Sequence, residues 1–324
     1  MTDQKRIAVA LGDPNGIGPE IAVKAAAHFA GGPLQPMLVG DAYVIQEYAR
    51  RHAPDLPLVP LEQAEPEARA LVYVDVPALA KSKFKPGRIL PEAGRATVDY
   101  VKRAVELAQS GQAAAVVGCP HSETAINQAG IAFSGYPGLI AQLTGTPSEK
   151  VFLMLVAAGL RIAHVTLHES VRTALLRITP NLVVDAALAA VAAEKKLGNQ
   201  TPAIGVFGIN PHAGENGLFG DDDLRITEPA VARQREKGLR VEGPTGADLL
   251  LGQRRHDLYI AMFHDQGHIP VKLLSPLRSS ALTIGTPILF SSVGHGSAFD
   301  IAGQGIADPV SVVETLSLLS QAKP

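Results

Sequence analysis

Three histidines share one kind of place in the sequence: each follows a short apolar run that is typical of a buried strand. They are His168, His212 and His264. Because the carboxyl ends of parallel strands meet at one edge of a sheet, we expect the three imidazoles to converge on one crevice. Three nitrogen ligands with an open fourth position are typical of a catalytic zinc site rather than a structural one. Asp265 and Glu215 are either supporting carboxylates for these ligands or ordinary loop charges.

The cysteine count restricts any metal site to other side chains. Cys119 is the single cysteine of the chain, so an intrachain disulfide and a zinc site with several thiolates are both excluded. A metal ion must therefore be held by His, Asp or Glu. The run Asp221 to Asp223 is grouped as a hard cation would require, but a solvated loop or a helix cap is the preferred interpretation.

Two segments rich in small residues are candidates for binding an anion or a nucleotide. The first contains Gly12, Gly16 and Gly18 between a predicted strand and a predicted helix. Its spacing does not match the GxGxxG fingerprint, so a tight strand-to-helix connection is the favoured interpretation. The second segment surrounds His295 and Asp300, where small residues would let the backbone approach a cofactor and a carboxylate would accept both ribose hydroxyls.

The elements that position these residues follow an α/β pattern. Short apolar runs alternate with longer Ala- and Leu-rich segments, which indicates parallel strands buried between helical layers. The predicted strands cover residues 7–11, 114–117, 151–156, 162–165, 204–207 and 258–262, and the predicted helices cover 21–29, 93–109, 183–197 and 227–237. No clean linker separates two halves, so we expect two interleaved domains.

Length, charge and hydropathy exclude several classes of protein. A chain of 324 residues allows about two domains. The net charge is −2 and no Lys/Arg run is present, which argues against nucleic acid or an anionic membrane surface as a partner. The longest apolar stretch, 151–160, is too short to span a bilayer, and no signal-peptide core is evident. We therefore expect a cytoplasmic protein that acts on a small molecule.

Five segments in a fixed order carry a family resemblance over nearly the whole chain: GDPNGIGPEI, AGIAFSGY, GINPHAGENGLFG, FHDQGHIPVK and SVGHGSAFDIAG. They resemble the 4-hydroxythreonine-4-phosphate dehydrogenase family. The last is also similar to a loop of the isopropylmalate and isocitrate dehydrogenases, which bind NAD without a Rossmann fingerprint. The resemblance implies two interleaved α/β/α domains, which we place at residues 1–130 plus 285–324 and at 131–284, the second carrying most metal ligands.

The same resemblance implies the site residues, the cofactors and the assembly. It implies a homodimer with active sites at the subunit interface and a divalent metal, commonly zinc, held by His168, His212 and His264. The NAD-binding loop would comprise His295, Gly296, Ser297, Ala298 and Asp300. Lys272 matches the substrate-binding lysine of the family and is assigned to catalysis together with His264 and Asp265; orienting a carboxylate, relaying a proton and forming a surface ion pair are its possible roles.

Departures from the family pattern concern the substrate. Where the biosynthetic enzymes carry GHTE, whose His and Thr hold a phosphate, this chain has GYPG at 135–138. An asparagine and an arginine that face the substrate correspond to Ala281 and Phe290, and the motif PINK is replaced by PHSE at 120–123. Tyr136 and Phe290, with Lys272, are therefore the expected substrate-binding residues of a flatter, less cationic pocket.

The altered pattern is similar to the branch of the family that acts in terephthalate breakdown. This resemblance implies an NAD-dependent, metal-assisted oxidative decarboxylation of 1,2-dihydroxy-3,5-cyclohexadiene-1,4-dicarboxylate to protocatechuate, CO2 and NADH. The alternative is a dehydrogenase of a phosphorylated four-carbon hydroxy acid such as 4-hydroxythreonine 4-phosphate. A metal-dependent hydrolase or lyase would use the same histidines to activate water, but it would not need the segment HGSAFDIAG.

Overall fold

The chain divides into two compact units, and each contains strands and helices of its own. Unit 1 comprises residues 1–144 and 287–324, and unit 2 comprises residues 145–286. The computed structural model describes residues 4–66 and 68–322. The chain thus leaves unit 1 to build unit 2 and then returns, as expected for interleaved domains.

Unit 1 contains six strands that all run parallel. They are β1 (Lys5–Ala10), β2 (Leu34–Gly40), β3 (Leu58–Pro60), β4 (Leu71–Asp75), β5 (Ala115–Gly118) and β12 (Phe290–Val293). Their order is β3-β4-β2-β1-β5-β12. In the registers of β1, Ile7 pairs with Pro36 on one side and with Ala115 on the other. β1, β2 and β5 are almost wholly buried because helices cover both faces.

The helices of unit 1 lie on both faces of its strands. They are α1 (Gly18–Phe29), α2 (Ala42–His52), α3 (Pro91–Gln109), α4 (Glu123–Gln128), α5 (Tyr136–Thr144) and α11 (Val310–Leu319). The crossovers through α1 and α3 move in opposite directions along the sheet, so right-handed connections put these helices on opposite faces. α3 begins at Pro91, which is compatible with a first helical turn, and buries Tyr100, Val101 and Ala104 at helical spacing.

Unit 2 has a mixed sheet. Its strands are β6 (Phe152–Ala157), β7 (Leu160–His164), β8 (Ala203–Phe207), β9 (Arg240–Thr245), β10 (Leu258–Ala261) and β11 (Ser280–Ile284), in the order β11-β6-β7-β10-β8-β9. β6 runs antiparallel to both of its neighbours, which corrects the expectation that all strands are parallel. Only Ala158 and Gly159 join β6 to β7, both with positive φ, and a link this short makes a hairpin.

The helices of unit 2 lie on the two faces of this sheet. They are α6 (Val171–Arg177), α7 (Pro180–Lys196), α8 (Glu228–Glu236), α9 (Ala247–Gln253) and α10 (His264–Leu274). Right-handed crossovers place α7 and α8 on one face and α9 and α10 on the other. A core cluster that includes Ile162, Phe207, Tyr259 and Val271 lies under α10. α10 is therefore held firmly at the carboxyl end of β10.

The first unit boundary falls after Thr144 rather than after residue 130, because α5 belongs to unit 1. Tyr136, at the start of α5, packs against Phe290 of β12 with 5.0 Å between ring centroids, and α5 also packs on α3. The second boundary falls after Thr286 rather than after residue 284.

Within the described part of the chain, no single helix has both the length and the apolar composition of a membrane span. α6 and α7 reach them only when counted together, across a bend of 93°.

Candidate active site

The strand order of unit 2 determines which predicted ligands meet. β10 lies between β7 and β8, and the three strands are parallel. His168 follows β7, His264 follows β10 and His212 follows β8, so all three start from the same edge of one sheet. The loops after these strands differ in course, and only two of the three histidines end close together.

His168 and His264 form the pair. Their ring centroids lie 5.6 Å apart, and both side chains line a cavity of about 450 Å³ with Thr166, Phe263 and Asp265 among its other walls. Asp265 Oδ1 lies 2.8 Å from His264 Nδ1. A carboxylate accepts, so this contact puts the hydrogen of His264 on Nδ1 and leaves Nε2 bare. Asp265 thus supports the tautomer that a metal ligand needs.

Gln266 holds the backbone from which His264 projects. Its Oε1 accepts from the backbone N–H groups of Met262 and Phe263 at 2.9 and 3.1 Å. Its Nε2 donates to the carbonyl of Gly208 at 2.9 Å. One amide therefore joins the ends of β10 and β8 at the base of α10. Sequence analysis missed this residue, although its place in the segment HDQGH was a signal.

His212 follows a different course from the other two ligands. Residues 212–216 all have positive φ, including four that are not glycine, so the chain makes a left-handed turn that is unfavourable for such residues. This turn lines a separate cavity of about 920 Å³, bounded also by Glu228, Arg235 and Thr245. The His212 ring is largely exposed, and Glu215 Oε2 lies 3.7 Å from its Nδ1. From the sequence, Glu215 was either a supporting carboxylate or an ordinary loop charge.

Asp223 anchors the start of that turn. It is fully buried, and its carboxylate accepts from the N–H groups of Ile209 and Asn210 at 2.8 and 2.9 Å and from the Thr227 hydroxyl at 2.6 Å. Asp221, by contrast, is exposed and paired with Arg225. Asp223 is therefore a buried loop clamp rather than a solvated residue, and the exposed Asp221 agrees with the interpretation preferred from the sequence.

The chemistry of the donors fits a divalent metal, but one chain supplies an incomplete set. Among the described residues, no group of three or more His, Cys, Asp or Glu side chains converges closely enough to hold an ion. Neutral imidazoles are suitable ligands for zinc and its first-row neighbours. His168 and His264 together provide two such nitrogens beside a cavity, and a third ligand has to come from elsewhere.

Two further histidines lie beside the pair. His268 stacks on His264 with 3.6 Å between ring centroids, and its Nδ1 lies 3.2 Å from His164 Nε2. Burial lowers the pKa of His164 to about 3 and that of His268 to about 4. Both rings are therefore neutral near pH 7.

Lys272 lies two turns after His264 on α10. Its Nζ donates to the Ser279 hydroxyl at 3.1 Å. Partial burial lowers the pKa of Lys272, because the charged ammonium is less well solvated than in water. The group is thus a readier proton donor than an ordinary lysine.

The predicted cofactor loop lies at the carboxyl edge of the unit 1 sheet, after β12. His295 Nε2 lies 2.6 Å from the Ser311 hydroxyl, which tethers the loop to α11. Ser297 Oγ is buried without a hydrogen-bond partner, Gly296 has open space where a Cβ would lie, and Asp300 is exposed. An orphaned hydroxyl, an open backbone and an exposed carboxylate fit the nucleotide end of a dinucleotide.

The first glycine turn supports this loop by close packing. A Cβ on Gly16 would lie 2.8 Å from Ser297 Cβ, and Ile17 N–H donates to the Ser297 carbonyl at 2.9 Å. A Cβ on Gly12 would lie 2.2 Å from the Pro120 carbonyl oxygen. These glycines are therefore required by close contacts, in agreement with the interpretation of this segment as a tight strand-to-helix connection. Burial raises the pKa of the adjacent Asp13 to about 7.

Tyr136 and Phe290, the predicted pocket residues, are packed in the core of unit 1. Neither is more than 2% exposed, and the Tyr136 hydroxyl donates to the Cys119 carbonyl at 2.7 Å. His121 covers this pair, with its ring centroid 4.4 Å from that of Tyr136 and 4.9 Å from that of Phe133. The partly exposed His121 is thus the outer member of an aromatic cluster.

Comparison with known proteins gives relatives along the whole chain. The chain is 50% identical over 321 residues to 1,2-dihydroxy-3,5-cyclohexadiene-1,4-dicarboxylate dehydrogenase of Comamonas sp, covering 97% of each. It is 40% identical to D-threonate 4-phosphate dehydrogenase of Cupriavidus necator, covering 96% of this chain and 95% of the relative. A crystal structure of a terephthalate 1,2-cis-dihydrodiol dehydrogenase from Burkholderia xenovorans LB400 matches with a TM-score of 0.77 and 50% identity over 98% of each chain.

A more distant likeness concerns the fold. A β-decarboxylating dehydrogenase from Thermococcus kodakarensis matches with a TM-score of 0.50 at 17% identity, which confirms the predicted fold class. The family model of the pyridoxal phosphate biosynthetic protein PdxA matches residues 33–319. The strand-end histidines agree with these matches, and the chain belongs to the PdxA family of dehydrogenases.

Proposed function

We propose that the protein is an NAD-dependent, metal-assisted dehydrogenase that decarboxylates 1,2-dihydroxy-3,5-cyclohexadiene-1,4-dicarboxylate in terephthalate degradation. The relative that carries this name is 50% identical along 97% of both chains. The observation that carries the choice of substrate is the packing of Tyr136 on Phe290. These positions, where the resemblance implies phosphate and substrate ligands, are filled by a buried aromatic pair.

The same pair argues against the alternative substrate, a phosphorylated four-carbon hydroxy acid such as the one named for the Cupriavidus relative. A phosphate is bound best by cations and by several hydrogen-bond donors. Phe290 has none, and the single donor of Tyr136 is engaged by the Cys119 carbonyl. A flat carbon ring against the His121 edge of the cluster is more compatible with these side chains.

The metal would be held by His168, His264 and a third imidazole, His212. When bound, the ion supplies a Lewis acid that lowers the pKa of a substrate hydroxyl and withdraws charge from a carbonyl oxygen. The chain's own contribution is orientation: Asp265 keeps the hydrogen of His264 on Nδ1, and Gln266 fixes the backbone behind it.

The cofactor would be held by the loop from His295 to Asp300. When bound, NAD supplies the hydride acceptor. The exposed Asp300 carboxylate would accept from the ribose hydroxyls, and the buried Ser297 hydroxyl would gain the partner that it lacks in the protein alone. Ser311 holds His295 in place through the 2.6 Å contact.

The reaction balances without any further reactant. The carbon that carries one hydroxyl and one hydrogen would lose its hydroxyl proton and a hydride, for which bound NAD would be the acceptor, and would become a ketone β to the neighbouring carboxylate. That carboxylate leaves as CO2, its bonding electrons form the ring double bond, and the former ketone oxygen takes up a proton to give protocatechuate. Lys272, whose pKa is lowered by burial, is the candidate for holding a substrate carboxylate or moving this proton.

The assay that tests the substrate compares three compounds under identical conditions by NADH absorbance: the dihydrodiol dicarboxylate, 4-hydroxythreonine 4-phosphate and D-threonate 4-phosphate. We expect NADH and protocatechuate from the first compound and little turnover of the other two. Preference for either phosphate would overturn the substrate and leave the dehydrogenase class intact.

We also propose that the enzyme works as a homodimer. His212 lies in a cavity apart from His168 and His264, so one chain alone provides an incomplete ligand set. Ile269 and Leu273 on α10 and Leu277 just after it are each more than half exposed, which is unusual for an apolar row on a monomer. A second copy packed against this row would cover it near His264 and would bring a third imidazole.

A further inference from the structure

A second pair of histidines, His164 and His268, lies behind His264 and has no part in the function proposed above. His164 is the last residue of β7 and is 1% exposed, and His268 lies one turn after His264 on α10. The rings of His268 and His264 are nearly parallel, at 12° with centroids 3.6 Å apart. The centroid of His164 lies 4.7 Å from that of His268. The three rings therefore form a continuous row from the sheet to the candidate ligand.

The partners of the ring nitrogens determine which of them carry hydrogen. His164 Nδ1 lies 3.2 Å from the carbonyl oxygen of Leu153 on β6. A carbonyl only accepts, so Nδ1 of the neutral ring donates and Nε2 is bare. His268 Nδ1 lies 3.2 Å from this Nε2 and 3.2 Å from the carbonyl oxygen of His264. Both atoms accept, so the neutral His268 ring carries its hydrogen on Nδ1 and is held between its own helix and the sheet.

Gly267 is the residue that lets the two rings meet. A Cβ at this position would lie 2.2 Å from His164 Nε2, a distance that no side chain could adopt without displacing that ring. An apolar pair in the same space would bury no polar atoms. Two imidazoles and a glycine are therefore a costly way to fill the volume behind His264, and their presence there calls for a role beyond packing.

We propose that His164 and His268 are positioning residues for metal binding at His264, an inference that rests on the proposed metal-dependent function. His164 holds the plane of His268 by a hydrogen bond, and His268 holds the plane of His264 by stacking. Asp265 completes the support by holding the hydrogen of His264 on Nδ1. A ligand held in one orientation loses less side-chain entropy when the ion binds.

The test measures the affinity of the apoprotein for Zn²⁺ by competition with a chelator, and records the absorption spectrum with Co²⁺. H268L removes both ring and donor, and we expect Zn²⁺ binding to weaken by about 10- to 100-fold, the usual effect of groups that support a ligand. H268F retains a flat ring and should lose less. Because the two histidines act as one unit, H164L/H268L should bind Zn²⁺ no more weakly than H268L alone.

A control variant separates positioning from general stability. His256 is another buried histidine of unit 2, bound to Glu242, but it precedes β10 and so lies at the opposite end of that strand from His264. H256L should lower the thermal stability and leave the Zn²⁺ affinity unchanged. In metal-free wild type, ¹⁵N spectra of the imidazoles should show His268 with its hydrogen on Nδ1, the nitrogen that faces both His164 Nε2 and the His264 carbonyl oxygen.

The outcomes distinguish this inference from the function on which it rests. If wild type binds Zn²⁺ and the H268L variant binds it with the same affinity, the positioning role alone is overturned. The role is also overturned if the losses of Zn²⁺ affinity in H164L and H268L multiply in the double variant, because two residues that act independently do not position His264 as one unit. Wild type that binds no Zn²⁺ would overturn the proposed metal site, and the inference with it.

Discussion

At the scale of single residues, every residue of the segment HDQGH either provides the His264 imidazole or helps to hold it in place. His264 offers a bare Nε2, Asp265 holds the hydrogen on Nδ1, and Gln266 ties down the backbone on both sides. Gly267 leaves room for His164, and His268 stacks on the ligand. A functional side chain is thus defined as much by the four residues after it as by its own type.

Asp223 is the corresponding support for His212, and the conservative variant D223N tests it. An amide in place of the carboxylate would put an NH2 group opposite the N–H of Ile209 or Asn210, or leave the Thr227 hydroxyl without its acceptor. We expect a loss of about 1–3 kcal/mol in the free energy of unfolding and weaker Zn²⁺ binding. D221N, at the exposed end of the same acidic run, is the matched control and should leave both unchanged in urea denaturation and chelator competition.

His121 predicts a pH dependence for stability. Burial lowers its pKa in the folded protein to about 4 from 6.5. As the pH falls below 6.5 the unfolded chain takes up a proton that the folded ring resists, so stability is lost progressively down to about pH 4. In H121Q the free energy of unfolding should change less between about pH 7 and about pH 5 than in wild type. H28Q, on the exposed side of α1, should follow wild type; an H121Q curve parallel to wild type would contradict the assignment.

At the scale of elements, unbroken apolar runs predicted six of the strands and missed others, including β2, which is fully buried but is interrupted by Gln35 and Pro36. Runs such as 7–11 and 258–262 became β1 and β10 because an unbroken apolar run suits a strand covered on both faces. The hairpin of β6 and β7 has the same composition, so direction could not be read from it. The two-residue link at Ala158 was the available signal.

The candidate site was predictable to the extent that it depends on strand ends. His168 and His264 meet because β7 and β10 are neighbours. His212 does not join them: it lies beyond β8 as the first residue of a left-handed turn, and such a conformation of four non-glycine residues is disfavoured locally. Tertiary contacts such as the Asp223 clamp maintain it. No pattern in one sequence reveals that kind of compensation.

Gln266 gives a prediction at this scale, because it joins two strands to a helix. Q266L would leave the N–H groups of Met262 and Phe263 and the carbonyl of Gly208 without their partner. We expect a loss of about 2–4 kcal/mol in the free energy of unfolding, at roughly 1 kcal/mol or more for each unsatisfied group. Hydrogen exchange should rise at residues 262–266 first. Unchanged exchange there would show that the amide does not hold the base of α10.

At the scale of the whole molecule, two features of one chain call for a second. The apolar row of α10 is exposed, and the third imidazole of the proposed metal site lies in another cavity. Covering the row would contribute roughly 25 cal/mol for each Å² of apolar surface removed from water. Dimerisation and completion of the active site would then be one event, and dilution should lower activity and metal affinity together.

Mixing inactive variants tests this assembly, and the geometry of the pair decides which variants to mix. Because His168 and His264 lie 5.6 Å apart, ring to ring, in one chain, they belong to the same site, whereas His212 would serve the site of the partner. In a mixed dimer of H212A and H264A, one of the two sites then contains all three imidazoles. Since random exchange makes about half of the dimers mixed, about a quarter of wild-type activity should return.

A mixture of H168A and H264A has a defect in both sites of every dimer and should stay inactive. Recovery in that second mixture would place His168 and His264 of one site on different chains, and the absence of recovery in the first, despite proven exchange of subunits, would contradict a shared site.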